Sequence, residues 1–306
     1  MKSNAIGIIG MGWVGASVAI SILQRGLCKQ LLLNDLNSSI AEGEAMDLNH
    51  GASFFPTAIV KSCEIEEMMD CRAIVITAGR GGKPGESRLD LLRENVLIAR
   101  KISEQLKGYK GLLIIVSNPV DVLTYFYQKF TGLPKGRVIG TGTMLDTARL
   151  RSSISDKIDV DVKSIHANVI GEHGDSEVVL WSSARVGELP LDKWTGWEKE
   201  YEEQITVEVR KAAYEIIKRK GATNHAIGLV TATLLKWLLR GDRRICNVSS
   251  VVDGTYGLDN VAISIPTLID EHGVCEFLEV DLSTEEREKL LESARILKEA
   301  IESVEL

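Results

Sequence analysis

The chain has 306 residues, 44% hydrophobic and 26% charged, proportions that suit a globular protein of two domains or one large α/β unit and exclude a disordered chain. Its 36 lysines and arginines against 43 aspartates and glutamates leave a formal charge of −7, so nucleic acid and anionic membrane are not expected partners, and an anionic substrate needs a local cluster of cations. No apolar run approaches the ~20 residues of a membrane helix, the amino-terminal run lacks the length and flanks of a signal peptide, and five cysteines without a CxxC pair fit a reducing cytoplasm better than a disulfide framework or a structural zinc site.

Ala5-Ile6-Gly7-Ile8-Ile9 predicts a buried strand, and Trp13 to Arg25 a helix stopped near Gly26. Leu31-Leu32-Leu33 reads as a second strand, followed by a helix from about Ser38 to Asn49. Ala73-Ile74-Val75-Ile76 is a third strand, Leu112 to Val116 a fourth, and Val138-Ile139 opens a fifth, with a helical pattern from about Arg88 to Lys107 between the third and fourth. Continuous rather than alternating apolar strands imply a sheet covered on both faces. Strand–helix–strand repetition implies a parallel, doubly wound sheet. The second half changes character: strands at Ser164–Ile170 and Val178–Ser182, helices at Glu198–Lys220 and His225–Leu239, strands near Val248–Val252 and Val261–Ile265, and a charged helix from Thr284 to Val304. That order predicts an α+β second domain, with the division at residues 1–142 and 143–306. Trp181, Trp194, Trp197 and Trp237 read as core or interface residues rather than a ligand cage.

Gly10-Met11-Gly12-Trp13-Val14-Gly15 lies between the first strand and the first helix. In that position GxGxxG is a dinucleotide-binding fingerprint of a Rossmann-type sheet. Gly10 allows the sharp turn, Gly12 lets the backbone approach a pyrophosphate, and Gly15 lets helix and strand pack closely. The phosphates would sit at the helix amino end, where unpaired N–H groups and the dipole favour anions. Asp35, about 20 residues beyond the last glycine, suits the ribose hydroxyls of the adenosine half. Its charge would repel a 2′-phosphate, and Leu36-Asn37 supply no arginine, so NAD is expected rather than NADP.

Four further stretches carry a resemblance: Thr77 to Leu91, with Lys83-Pro84-Gly85-Glu86-Ser87-Arg88 inside it; Val116-Ser117-Asn118-Pro119-Val120-Asp121; Leu145-Asp146-Thr147-Ala148-Arg149; and Gly171-Glu172-His173-Gly174-Asp175-Ser176. Together they resemble the L-lactate/malate dehydrogenase family, in order and over nearly the whole chain. The lactate branch is closer, through Lys-Pro-Gly-Glu-Ser-Arg and through Thr223 in Ala222-Thr223-Asn224-His225. Reducing a 2-oxo acid requires an acid near neutral pH, a cation for the developing alkoxide and a fork for the carboxylate. Residue type alone does not choose among His50, His166, His173, His225 and His272 for the acid. The resemblance implies His173 as proton donor and acceptor, Asp146 as the carboxylate that orients it, and Arg88 as the cation that polarises the carbonyl after a closing loop. It implies Arg149 as the fork, which a lysine cannot imitate. Asn118 and Thr223 are implied as substrate contacts, with Asn118 also bordering the nicotinamide. Val14, Thr77, Ala78, Gly79 and Thr141 are expected to line the cofactor groove. Arg151 and His166 resemble an allosteric anion site for fructose 1,6-bisphosphate; the same pair occurs in non-allosteric relatives, so no activation is expected.

One position departs from the family pattern. Just before Lys83, lactate enzymes usually carry glutamine and malate enzymes arginine, whereas this chain has Gly82. Burying the second carboxylate of oxaloacetate without a cation is costly, so the expectation is an L-2-hydroxyacid dehydrogenase active on pyruvate and tolerant of larger side chains. Arg80 or Lys83 swinging in as a substitute cation keeps malate dehydrogenase as an alternative. A catalytically silent dinucleotide-binding protein is the non-enzyme alternative, and the joint presence of Arg88, Asp146, Arg149 and His173 counts against it. By resemblance, a homotetramer or a dimer is expected.

Overall fold

The computed structural model describes residues 4–82 and 85–304. Lys83 and Pro84, named above as a candidate cation and its neighbour, lie outside the described residues. The first half runs β1 (Ala5–Ile9), α1 (Trp13–Gln24), β2 (Gln30–Asn34), α2 (Ser38–His50), β3 (Ile59–Ser62), β4 (Ala73–Ile76), α3 (Arg88–Gln105), β5 (Leu112–Ile115), α4 (Val120–Thr131) and β6 (Val138–Gly140). The second half runs α5 (Met144–Ile158), β7 (Ile165–His166), β8 (Val169–Ile170), β9 (Val178–Val179), β10 (Arg185–Val186), β11 (Leu189–Pro190), α6 (Glu200–Lys220), α7 (His225–Arg240), β12 (Arg244–Asp253), β13 (Asp259–Asp270), β14 (Gly273–Phe277) and α8 (Thr284–Glu302).

The strands of the first half pair in parallel in the order β6-β5-β4-β1-β2-β3. Successive residues of a strand point to opposite faces, and here both faces are dry. On β4, Ile74 and Ile76 join a core with Val96 and Ala99 of α3, while Ala73 and Val75 join another with Val18 and Ile22 of α1 and Leu234 and Leu235 of α7. Helices on both sides therefore account for strands that are apolar throughout. A third core gathers Leu150 and Ile154 of α5 with Ile165, Val179, Ile205 and Val209. Trp181, Trp194 and Trp197 pack against that third core, and Trp237 against the second.

The structure departs from the sequence reading in several places. β12 and β13, expected as strands of the second half, and β14, which was not expected, do not stay apart from the first half. They extend the first sheet to nine strands among the described residues, through antiparallel pairing of Ser249 with Gly140. A parallel sheet ending at β6 would leave a row of unpaired backbone groups, and the long β12–β13 hairpin covers it. The expected strand Ser164–Ile170 is two short strands, β7 and β8, in different small sheets. β3 was not foreseen. It is an edge strand whose Ile59 and Lys61 are exposed, so its sequence lacks the apolar run of its neighbours. α4 was also not foreseen, because its buried face spans Val120 to Tyr127 almost without polar interruption and reads equally as strand.

Candidate active site

The glycine turn is shaped for close approach. Gly10 has φ +102°, and a Cβ there would lie 2.5 Å from the Ala78 nitrogen; a Cβ on Gly15 would strike the Gly10 carbonyl oxygen. Gly12 leads into α1 with no side-chain cap, and the first turn has no acidic residue, so the helix's amino-terminal N–H groups are left for an external anion. The Asp35 carboxylate closes the far side, accepting from Met11 N–H (2.7 Å) and Asn37 N–H (3.0 Å). Two lone-pair positions remain on it for hydroxyl donors. The Thr77 hydroxyl donates to the Gly10 carbonyl (2.5 Å), the Ser117 hydroxyl donates to the Ala78 carbonyl (2.6 Å), and the Asn95 side chain accepts the Arg80 N–H (2.9 Å). Those bonds hold Thr77 to Arg80 as one wall of a groove. Asn118 and Thr141, which follow β5 and β6, stand at the same edge of the sheet. The residues present thus fit a dinucleotide.

A second assembly stands on α5. Asp146 is 2% exposed and its two carboxylate oxygens go to different partners: Oδ1 accepts from Arg149 Nη1 (2.9 Å), and Oδ2 lies 2.5 Å from His173 Nδ1. Helical spacing puts Asp146 and Arg149 on one face. Tertiary tethers bring in the histidine. The Thr143 hydroxyl donates to the Val169 carbonyl (2.6 Å) and the Thr147 hydroxyl accepts the Val169 N–H (3.0 Å), fastening α5 to β8 just before the histidine loop. Gly171 then bridges to Ser264 of β13, Glu172 N–H donates to the Ser293 hydroxyl of α8 (2.8 Å), and His173 N–H donates to Asp121 Oδ2 of α4 (2.7 Å). The imidazole is 23% exposed, so it is anchored at Nδ1 while Nε2 stays available.

These contacts set the charges. Burial alone would lower the His173 pKa; the charge and hydrogen bond of Asp146, with the Asp121 charge, outweigh it and raise it to about 9. Burial would raise the Asp146 pKa, but His173 and Arg149 hold it below the ordinary carboxylate value. Burial pushes Asp121 up to about 6 against the Ser249 hydroxyl and the His173 N–H. Burial, with the Asp146 charge, also pushes Glu177 up to about 8. The cluster keeps one firmly ionised carboxylate under a protonated imidazole.

The family is decided by comparison with known proteins. Residues 4–140 match the lactate/malate dehydrogenase NAD binding domain, and residues 143–306 match the lactate/malate dehydrogenase alpha/beta C-terminal domain. This chain belongs to the lactate/malate dehydrogenase family. An L-lactate dehydrogenase of Clostridium perfringens is 40% identical over 312 residues, covering 100% of this chain and 98% of that one. One from Geobacillus kaustophilus is 42% identical over 97% of this chain and 96% of its own. Among solved structures, the minor L-lactate dehydrogenase of Enterococcus mundtii in its ligands-bound form superposes with a TM-score of 0.97 at 37% identity, each chain fully covered. A lactate dehydrogenase from a Medee basin deep-sea metagenome library gives 0.96 at 39%, over 99% of both. NAD is the cofactor of the family's first domain.

Not every expected residue of this lactate/malate dehydrogenase chain is gathered. Arg88, the first residue of α3, is 89% exposed and lies 3.6 Å from Asp175. Gly82 is exposed, and a Cβ there would touch Leu91. Arg80 is held by Glu86 and lies 3.9 Å from Glu94, so it is not a free cation. Thr223 is half-buried ahead of α7, beside Asn224, whose side chain donates to Ser17 of α1 (2.8 Å). Arg151 donates to the Ala167 carbonyl (2.9 Å) next to an exposed His166, and burial lowers its pKa. Asp121 and Glu177 were given no role from sequence. The signal for Asp121 was an acid inside the apolar stretch Val120 to Leu123. Glu177 had none. Among the described residues, no helix is long and apolar enough to cross a membrane.

Proposed function

We propose that this chain is an NAD-dependent L-lactate dehydrogenase that interconverts pyruvate and L-lactate and tolerates larger 2-oxo acids. The observation that carries the reading is one buried carboxylate, that of Asp146, joined to both His173 and Arg149. A binding module has no use for a proton donor aligned with a carboxylate fork. The dinucleotide, when bound along the Gly10–Gly15 turn, supplies the hydride. His173 delivers a proton from Nε2 to the carbonyl oxygen during reduction and takes one from the hydroxyl during oxidation. Asp146 fixes the ring and stabilises its charged form. Arg149 keeps most of its five donors for the substrate carboxylate, since only one is engaged by Asp146. Arg88 enters with closure of the segment ahead of α3, excluding water and stabilising the developing alkoxide. Asn118 and Thr223 border the substrate.

Oxaloacetate is the disfavoured partner. Arg80 is bound by Glu86, so the second carboxylate would have to pull it from an existing ion pair. Gly82 contributes neither charge nor volume, which supports tolerance beside the substrate methyl. Residues 1–142 and 143–306 are the proposed cofactor and substrate units, the assembly a homotetramer, and the setting the cytoplasm. The test is NADH oxidation with pyruvate, oxaloacetate, 2-oxoisocaproate and phenylpyruvate, with and without fructose 1,6-bisphosphate. The expected result is the highest kcat/KM with pyruvate, measurable turnover of the larger acids and no effect of the bisphosphate. Preference for oxaloacetate would overturn the reading.

A further inference from the structure

A cavity of about 650 Å³ opens at the other end of the sheet, lined by Arg72, Lys110, Arg137, Asp70, Glu271 and His272 among others. Its position follows from topology. β4, β5 and β6 are adjacent and parallel, so the residues just before them share one edge. Arg72 precedes β4, Lys110-Gly111 precedes β5, and Arg137 precedes β6. The cofactor-groove residues Thr77, Asn118 and Thr141 follow the same three strands. Strands of this length put roughly 13 Å of backbone between the two edges.

Three cations gather there in a chain whose net charge is −7. Among the described residues, neither Arg72, Lys110 nor Arg137 lies within ion-pair distance of a carboxylate. Arg72 and Arg137 are half-buried residues whose guanidinium groups are tethered by carbonyls: Arg72 Nη2 donates to Leu239 O (2.7 Å) in a partly buried bond, and Arg137 Nη1 to Lys110 O (2.7 Å) in an exposed one. Each tether uses one donor of five, and a carbonyl oxygen does not neutralise the charge. The loop carrying Lys110 is pinned as well. The buried Tyr109 hydroxyl lies 3.1 Å from the Cys71 carbonyl oxygen and 3.2 Å from that of Leu112, and donates between them. Of the two acids on the rim, Asp70 and Glu271 are both exposed, and Glu271 faces His272 at 3.9 Å.

We propose that this cavity is a second anion site, separate from the dehydrogenase centre, which takes a small molecule carrying two or more phosphate groups. Oriented guanidinium edges match phosphate oxygens, a concave wall focuses their field, and the volume exceeds what a single phosphate needs.

Isothermal titration of the NADH-saturated protein with inorganic tripolyphosphate tests it, because the cofactor groove is then filled. One saturable site is expected, weakened about tenfold in Lys110→Gln and in Arg137→Gln and unchanged in Lys289→Gln, which removes the same charge from α8. A parallel titration with a hexose 1,6-bisphosphate, read against the same variants, distinguishes a phosphate ester from an inorganic chain by which binds tighter. No saturable tripolyphosphate binding, equal affinity in Lys110→Gln and Arg137→Gln, or loss in Arg151→Gln instead would overturn the proposal.

Discussion

Asp146 and Arg88 stand in opposite physical regimes. Asp146 is 2% exposed, and its cluster is assembled within the chain itself, before any ligand arrives. Arg88 is 89% exposed, with one loose ion pair to Asp175, of a kind that contributes ~0–1 kcal/mol. A buried carboxylate cannot wait for substrate: left unpaired in the core it costs several kcal/mol, so folding must deliver its partners. An exposed arginine carries no such penalty and can remain solvated until a ligand pulls it in. One half of the machinery is thus part of the fold, and the other is recruited.

The sharpest test of this contrast is His173→Asn. Turnover of pyruvate should fall by about a thousandfold or more, the range assigned to a positioned general acid, while NADH titration still reports binding in the distant glycine groove. Near-normal turnover would remove His173 from the chemistry. Arg88→Gln should cost about a hundredfold in kcat with little change in Tm, because its ion pair to Asp175 is exposed and weak. Asp146→Asn should lower both activity and Tm. A Tm loss in Arg88→Gln equal to that in Asp146→Asn would erase the distinction between built and recruited halves.

Arg149→Lys should raise KM for pyruvate about tenfold, with a smaller change in kcat, because charge survives while the fork is lost. Unchanged KM would contradict a carboxylate-binding role. The smallest effects concern pH. Reduction needs protonated His173, so kcat/KM for pyruvate should be flat below pH about 9 and decline above it, while kcat/KM for lactate oxidation, which needs the neutral imidazole, rises toward pH about 9 and levels off above it. Asp146→Asn should move that inflection downward, since the Asp146 charge and hydrogen bond are what raise it. Stability follows the same linkage. The raised His173 pKa contributes stability that is fully present below the unfolded value of ~6.5 and is lost as pH rises through about 9. The depressed Asp146 pKa contributes stability that is present above the unfolded value of ~3.9 and is lost as pH falls further. Melting curves across pH, compared between the parent and Asp146→Asn, measure both.

The cofactor half was legible because its instructions are local. Gly10, Gly12 and Gly15 lie within six residues, and Asp35 directly follows the adjoining strand. The triad-like cluster was legible only through the family resemblance, since the Asp146–His173 contact spans 27 positions and no periodicity links them. Asp121 and Glu177 escaped because nothing around them marks what they will face once buried. β3 and α4 escaped for the matching reason: an edge strand loses the apolar run, and a helix buried on most sides loses its polar stripe.

By itself the sequence determined the parallel layered core, the glycine turn, the acid opposite it and the supply of cations, because backbone geometry and local period act over a few residues. Tertiary structure alone decided that β12–β14 would close the sheet, that Thr143 and Thr147 would bring β8 and its histidine loop onto α5, and that Arg88 would stand in water while Arg149 would not. Those outcomes depend on where distant segments exclude solvent, and solvent exclusion sets the cost of a charge only after the chain has packed.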